Sequence, residues 1–258
     1  MKKPYIKKYS AINGYKVWIV DGAYIRKNLD IEFTNYGQHI SQHGRFDFIP
    51  KNEFWIDKDY ANGHEEEFCI AHMLTRQNLA NQHYEYSKAL EEADLAEKQE
   101  RKKSKIIRKL LNKKLSRREI IKLIHKKRLK KYNGKVKVLI VKGKLVRGLI
   151  TSDFVQGGHD KVYSFIPKNE IWIDDSLNPE EWKFVLLHEL IERNLMCWGW
   201  VYAMKYEIPW MHSTVKSCDG IEPETAHARA SEIELYYRRH PKKVDEKLKE
   251  ELAKTTLF

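Results

Sequence analysis

A block of ten residues occurs twice in this chain, and the repetition limits what it can fold into. Phe48-Ile49-Pro50-Lys51-Asn52-Glu53-Phe54-Trp55-Ile56-Asp57 returns 117 residues later as Phe165-Ile166-Pro167-Lys168-Asn169-Glu170-Ile171-Trp172-Ile173-Asp174, identical at nine of ten positions. The match extends both ways. Upstream, Lys16-Val17-Trp18-Ile19-Val20-Asp21-Gly22 corresponds to Lys137-Val138-Leu139-Ile140-Val141-Lys142-Gly143, followed by the pairs Arg26/Arg147, Phe33/Phe154 and Gly37/Gly158. Downstream, His72 matches His188, Asn78-Leu79 matches Asn194-Leu195, and Ala89, Ala93 and Glu97 match Ala226, Ala230 and Glu234. Ordered self-similarity of this kind is the signature of a repeated structural unit.

Both halves read as strands followed by helices. Val17–Val20 and Val136–Val141 are short β-branched runs that end near glycine, the pattern of strands. The repeated block is a second strand whose proline suits a sheet edge or the strand's first residues. Behind it, Asn178 is a good N-cap, with Pro179 at the first helical position and Glu180 and Glu181 following. Gly199 can close that helix, Pro223 can open the next, and Pro241 can stop it. From His64 to Asn133 there is neither glycine nor proline, so that whole stretch can be helical. Ser116-Arg117-Arg118-Glu119 reads as a capping box that restarts a helix within it. The expected fold is α+β, a tandem duplication of a small β-then-α module. The first copy spans 1–97, a basic helical linker 98–133 and the second copy 134–258, and the two copies are expected to pack on each other.

Charge is concentrated in the linker. Residues 98–131 hold 17 Lys and Arg against two acids, Glu100 and Glu119, a net +15 within a chain of net +12. The rest is therefore slightly acidic. Such a field favours a phosphate backbone, whose condensed counterions are released on binding. Arg117, Arg118, Lys126, Lys127, Arg128, Lys130 and Lys131 are the candidate nucleic-acid contacts. Leu115–Ile121 resembles the start of a helix in helix-turn-helix domains, without a third helix to match. A solvated spacer, or a basic amphipathic helix meeting an acidic partner or membrane surface, is the plainer alternative.

Hydrophobic residues at 42% against 33% charged give a globular balance. No apolar run approaches a membrane span, and no signal-peptide core follows the basic N-terminus. A cytoplasmic location is expected. Cys69, Cys197 and Cys218 lack CxxC spacing and read as plain thiols.

The halves differ where chemistry could reside. The second has His188-Glu189-Leu190-Ile191-Glu192 where the first has His72-Met73-Leu74-Thr75-Arg76, and His227 where the first has Leu90. On a helix His188 and Glu192 share a face. His188, Glu192 and His227 are candidate ligands for zinc or another divalent ion, and Glu189 is the candidate general base. The helix resembles the HExxH helix of zincin metallopeptidases, with glutamate in place of the second histidine. The run from His188 to Met196 (HELxERxLM), followed by Ala226 to Glu234 (AHxxAxxxE), also resembles uncharacterised phage-type proteins, a likeness that implies no activity.

Two alternatives stay open. Glu224-Thr225-Ala226-His227 is an ExxH step which, with Glu189 and Glu192, looks like a helical di-iron carboxylate site, although such sites draw on four helices. Alternatively, His188 is a core histidine beside Leu186, Leu187 and Leu190, and Glu192-Arg193 an exposed pair. The second half also carries 21 additional residues within Trp200–Gly220, among them Tyr202, Tyr206, Trp210, Met211 and His212. They suit a substrate wall, a lid or plain packing, and His212 is a substitute ligand. The functional expectation is a metal-dependent, metallopeptidase-like hydrolase with a nucleic-acid-binding linker. The alternative is a non-enzymatic nucleic-acid-binding or assembly protein.

Overall fold

The computed structural model describes residues 4–37, 46–132, 134–202 and 225–257. The chain forms two compact units, Met1–Ile124 with Lys142–Val155, and His125–Val141 with Gln156–Phe258. Each holds a four-stranded mixed sheet and helices.

In the first unit, β1 (Tyr5–Ile12) and β2 (Tyr15–Val20) form an antiparallel hairpin about Asn13-Gly14, both at positive φ. That backbone is what a tight hairpin turn demands. Helix α1 (Gly22–Asn28) follows, capped by the Asp21 side chain, which accepts from Tyr24 N. Gly22 is required sterically, since a Cβ there would lie 1.9 Å from Asp57 Oδ2. Strand β3 (Asn35–Gly37) is antiparallel to β4 (Glu53–Asp57), and β4 is parallel to β2, giving the order β1-β2-β4-β3. The repeated block is thus an interior strand. Pro50 stands before it, in the turn where Glu53 N donates to Pro50 O, so the proline lies neither at a sheet edge nor among the strand's first residues.

One face of this sheet, with Val17, Ile19, Phe54 and Ile56, packs on Tyr60 of α2 (Lys58–Asn62) and on Cys69, Ile70 and Met73 of α3 (Glu66–Asn81). The other, with Val20 and Trp55, packs on Ile25, Phe33, Phe46 and Ile49. Trp55 and Trp172 are buried, as expected of core residues, whereas Phe48 and Phe165 are only partly so. Helices α4 (Tyr86–Lys103), α5 (Lys105–Leu111) and α6 (Arg117–Ile124) continue the chain. The capping box forms, with Glu119 Oε2 accepting from Ser116 N and Oγ.

Helix ends at Ile124, contrary to the expectation for the linker. His125–Arg128 is strand β5, antiparallel to β6 (Lys137–Val141), and Lys130–Tyr132 is a 3₁₀ turn. The absence of breakers permitted a helix, but β6 offers ladder partners, and Leu129 and Tyr132 pack into the second unit's core. Tertiary pairing overrides propensity here. Residues 98–133 are accordingly not a separate body. Those up to Ile124 belong to the first unit and those from His125 to the second.

Helix α7 (Gly143–Leu149) is grouped with the first unit, where it meets α4, α5 and α6. In the second unit, β7 (Gly157–His159) and β8 (Glu170–Asp174) complete the order β5-β6-β8-β7. The parallel pairs share one register. Lys16↔Glu53 through Val20↔Asp57 has its counterpart in Lys137↔Glu170 through Val141↔Asp174. The short edge strands differ from the sequence match by one residue. Trp55 pairs with Tyr36 and Trp172 with Gly158, so the register counterpart of Gly37 is His159 and not Gly158. Helices α8 (Glu181–Cys197), α9 (Ala226–Arg239) and α10 (Val244–Lys254) cover this sheet. Among the described residues no helix is long and apolar enough to cross a membrane.

Candidate metal centre

Helix α8 begins where Asn178 Oδ1 accepts from the backbone N–H of Glu180 and Glu181, and ends before Gly199 at φ +94°. Leu186, Leu187, Leu190 and Ile191 bury one side in the core. The same helix carries His188, Glu189 and Glu192, all buried. Helix α9 packs against it. It is capped by Thr225, whose Oγ1 accepts from Ala228 N, and it brings His227 and Glu234 to the site. The cap falls at Thr225. Pro223, Glu224, Tyr206, Trp210, Met211 and His212 lie outside the described residues. Tyr202 is described, its ring centroid 5.5 Å from that of His227.

His188, Glu192 and His227 come together. His188 Nε2 lies 3.3 Å from Glu192 Oε2 and 3.2 Å from His227 Nδ1, and His227 Nδ1 lies 2.8 Å from the same Oε2. The edges of a zinc tetrahedron with nitrogen ligands are about 3.3 Å, so these three atoms span nearly one of its faces. The other nitrogen of His188, Nδ1, is 3.0 Å from Glu234 Oε2. A carboxylate there accepts a hydrogen bond from Nδ1–H and leaves the Nε2 lone pair facing inward, an arrangement typical of metal-binding histidines. Two imidazole nitrogens and a carboxylate oxygen so close need an N–H proton or a metal ion between them.

Glu234 is itself held. Its Oε1 accepts from Arg238 Nε at 2.7 Å, and Arg238 Nη1 donates to both oxygens of Glu181 at 2.9 Å. On the far side of Glu192, Oε1 lies 2.8 Å from Nε2 of His159, which is completely buried. Arg193 turns away to Asp160 at 2.6 Å and to Asn169, and it is buried like Glu192. The pair is therefore neither exposed nor mutual.

The electrostatics follow this packing. Burial alone would depress the His188 pKa, but hydrogen bonds to Glu192 and Glu234 hold it well above the ordinary imidazole value. Burial would raise Glu192, yet its bonds to His159, His188 and His227 carry it well below the carboxylate range. Glu234 is lowered likewise, with Arg238 and His188 outweighing burial. Glu189 goes the other way. Burial, reinforced by the Glu192 charge, pushes it up to about 8. Neighbouring carboxyls driven apart in this manner suit different chemical roles. An oxygen of Glu189 lies within 4.8 Å of ligand atoms of Glu192 and His159, and backbone crowds it, because a Cβ on Gly157 would stand 3.0 Å from Glu189 Oε1.

His188, Glu192 and His227 of the sequence-derived set thus meet at one point, Glu189 stands beside Glu192 and His159, and the structure adds His159, Glu234, Arg238 and Glu181 to the cluster. Part of that addition had a signal. Glu65/Glu181 and Arg101/Arg238 fit the offsets of the matched helices, and with His72/His188 and Glu97/Glu234 they make a complete repeated constellation. His159 had none, because its register counterpart is a glycine.

The basic candidates are divided between units. Arg117 and Arg118 lie on α6 of the first, and Lys126, Lys127, Arg128, Lys130 and Lys131 on β5 and the following turn of the second. All seven are exposed. Lys126 pairs with Asp175 and Lys131 with Asp245. Arg101, by contrast, is buried in ion pairs with Glu65 and Glu97, so not every linker charge is available to a partner. The chain was compared with protein-family models, with curated proteins and with solved structures, and it matches none of them.

Proposed function

We propose that the second unit is a mononuclear metal-dependent hydrolase, metallopeptidase-like in its chemistry, with His188, Glu192 and His227 holding zinc or another divalent ion. The observation that carries this reading is the inward triangle of His188 Nε2, His227 Nδ1 and Glu192 Oε2, backed by the Glu234 carboxylate on His188 Nδ1. An ion held there would polarise a substrate carbonyl. Glu189 takes a proton from the attacking water and passes it to the leaving group. The two halves are read as one duplicated module, supported by the sequence match and the common strand order and register.

The test is elemental mass spectrometry of protein purified without chelator, beside a His188→Ala/His227→Ala variant. One divalent ion per chain, lost in the variant, is expected. Glu189→Gln should keep the ion and lose peptide hydrolysis. Intact protein without metal that also takes none up on addition would overturn the reading.

A second reading rests on the seven exposed cations: a nucleic-acid-binding role, accompanying the hydrolase or replacing it in a non-enzymatic binding or assembly protein. Binding to a nucleic-acid duplex should then fall steeply with salt, and a flat response rules it out.

A further inference from the structure

Glu192 is held from outside the triangle as well as within it. His159 closes β7, and its Nδ1 accepts the backbone N–H of Lys161 at 3.1 Å. A nitrogen that accepts an N–H carries no proton, so the neutral ring bears its proton on Nε2, facing Glu192 Oε1 at 2.8 Å. The opposite oxygen, Oε2, faces His188 and His227.

We propose that His159 is a positioning residue for the metal centre: its Nε2–H holds Oε1 of Glu192, so that Glu192 offers Oε2 alone to the ion it shares with His188 and His227. The proposal rests on the metal-centre reading above. A rival arrangement also exists on the same atoms. His159, Glu189 and Glu192 bring ligand atoms within 4.8 Å of one another and could make a second cation site sharing Glu192. The Lys161 N–H counts against it, because a ligating Nε2 would need the proton on Nδ1, where it would point at another N–H. Nor does the fold require this imidazole. The first unit has Gly37 at the same register position, where a Cβ would stand 2.4 Å from the Phe54 ring. The second unit carries His159 together with the carboxylate it holds, and the first carries neither.

The experiment is a cobalt(II) titration of the full chain as wild type, His159→Leu and His159→Gln. Affinity is read by competition with a chromophoric chelator, and coordination by the visible spectrum. Wild type should bind one cobalt. Loss of a group that orients a ligand costs about 10- to 100-fold in metal affinity. His159→Leu should show that loss with an altered spectrum, and His159→Gln, which keeps an N–H donor, should recover most of it. Nitrogen-15 NMR of zinc-loaded wild type should report His159 as the Nε2–H tautomer, a measurement that stands even if the Leu variant does not fold.

Unchanged affinity in a folded Leu variant, an Nδ1–H tautomer, or a second cobalt that disappears with His159 would each overturn the proposal and leave the metal centre standing. A wild type that binds no cobalt overturns both.

Discussion

The two units contain the same chain of charged groups and end it differently. In the first, His72 Nδ1 lies 3.2 Å from Glu97, Glu97 accepts from Arg101, and Arg101 reaches Glu65 at 2.5 Å. In the second, His188 Nδ1 lies 3.0 Å from Glu234, Glu234 accepts from Arg238, and Arg238 reaches Glu181. Beyond the histidine they part. The first unit has Met73, Arg76 and Leu90 at the positions where the second has Glu189, Glu192 and His227. It adds Asp94, 3.3 Å from the same His72 nitrogen. Burial would depress His72, but Asp94 and Glu97 hold its pKa above the ordinary imidazole value. The relay is therefore common to both units, and the three residues beyond it are found in the second alone.

The sharpest way to break this comparison is to give the second unit the first unit's residues. Glu192→Arg with His227→Leu should take metal content from one ion per chain to none. His72→Ala in the first unit should leave it at one. Elemental analysis of the two variants decides the matter, and a loss of the ion with His72→Ala would show that the units are not distinct in the way described.

Cutting the relay itself should hurt both units alike in stability and only one in metal binding. Arg101 and Arg238 are buried between carboxylates, and removing one partner of a buried ion pair costs about 3–5 kcal/mol. Arg101→Met and Arg238→Met should each show that loss in urea unfolding. Arg238→Met should also weaken cobalt binding, since Glu234 loses its anchor, while Arg101→Met leaves cobalt affinity at the wild-type value.

The same contrast shows what could be read from the sequence. The two central strands of each unit and the helix bearing His188 were legible, because the repeated block and the Asn178 and Ser116 side chains are local signals, although the helix begins at Glu181 and not at Pro179. The parallel pairing of those strands was not read from the sequence. His188, Glu192 and His227 stood out because two similar stretches of one chain, set side by side, expose their differences. Strand β5 was not legible. Nothing in His125–Arg128 announces a strand, and its partner β6 is reached only through the turn at Lys130–Tyr132. Nor was His159, which a match of Gly37 with Gly158 hides behind a one-residue register difference.

Acid should separate the first unit's anchor from the rest. Burial would raise Glu65, but Arg147 and Arg101 outweigh it and bring its pKa down to about 2. A carboxylate whose folded pKa lies below the unfolded value of 4.5 adds stability above that value and loses it as pH falls towards 2. The contribution is on the order of 3 kcal/mol. Urea unfolding from pH 7 to pH 3 should show wild type losing roughly half of this increment below about pH 5. Glu65→Gln should start lower and lack that part of the slope, and parallel slopes in the two proteins would contradict the assignment.

The smallest effect tests how closely the second unit's backbone is fitted to its site. Gly157 pairs with Ile173 where the first unit pairs Asn35 with Ile56, so a side chain is compatible with that strand position in general. In the second unit a Cβ at 157 would lie 2.8 Å from Val185 Cγ1 and 3.0 Å from Glu189 Oε1. The first unit has Met73 and no carboxylate at the position of Glu189. Gly157→Ala should therefore cost about 1–3 kcal/mol by overpacking and lower hydrolysis by displacing Glu189, with metal content unchanged because the His188, Glu192 and His227 donor atoms are not among the atoms it meets. Asn35→Ala changes neither metal content nor hydrolysis. If Gly157→Ala were as stable and as active as wild type, the glycine would be incidental, and Glu189 would not be held by the edge strand at all.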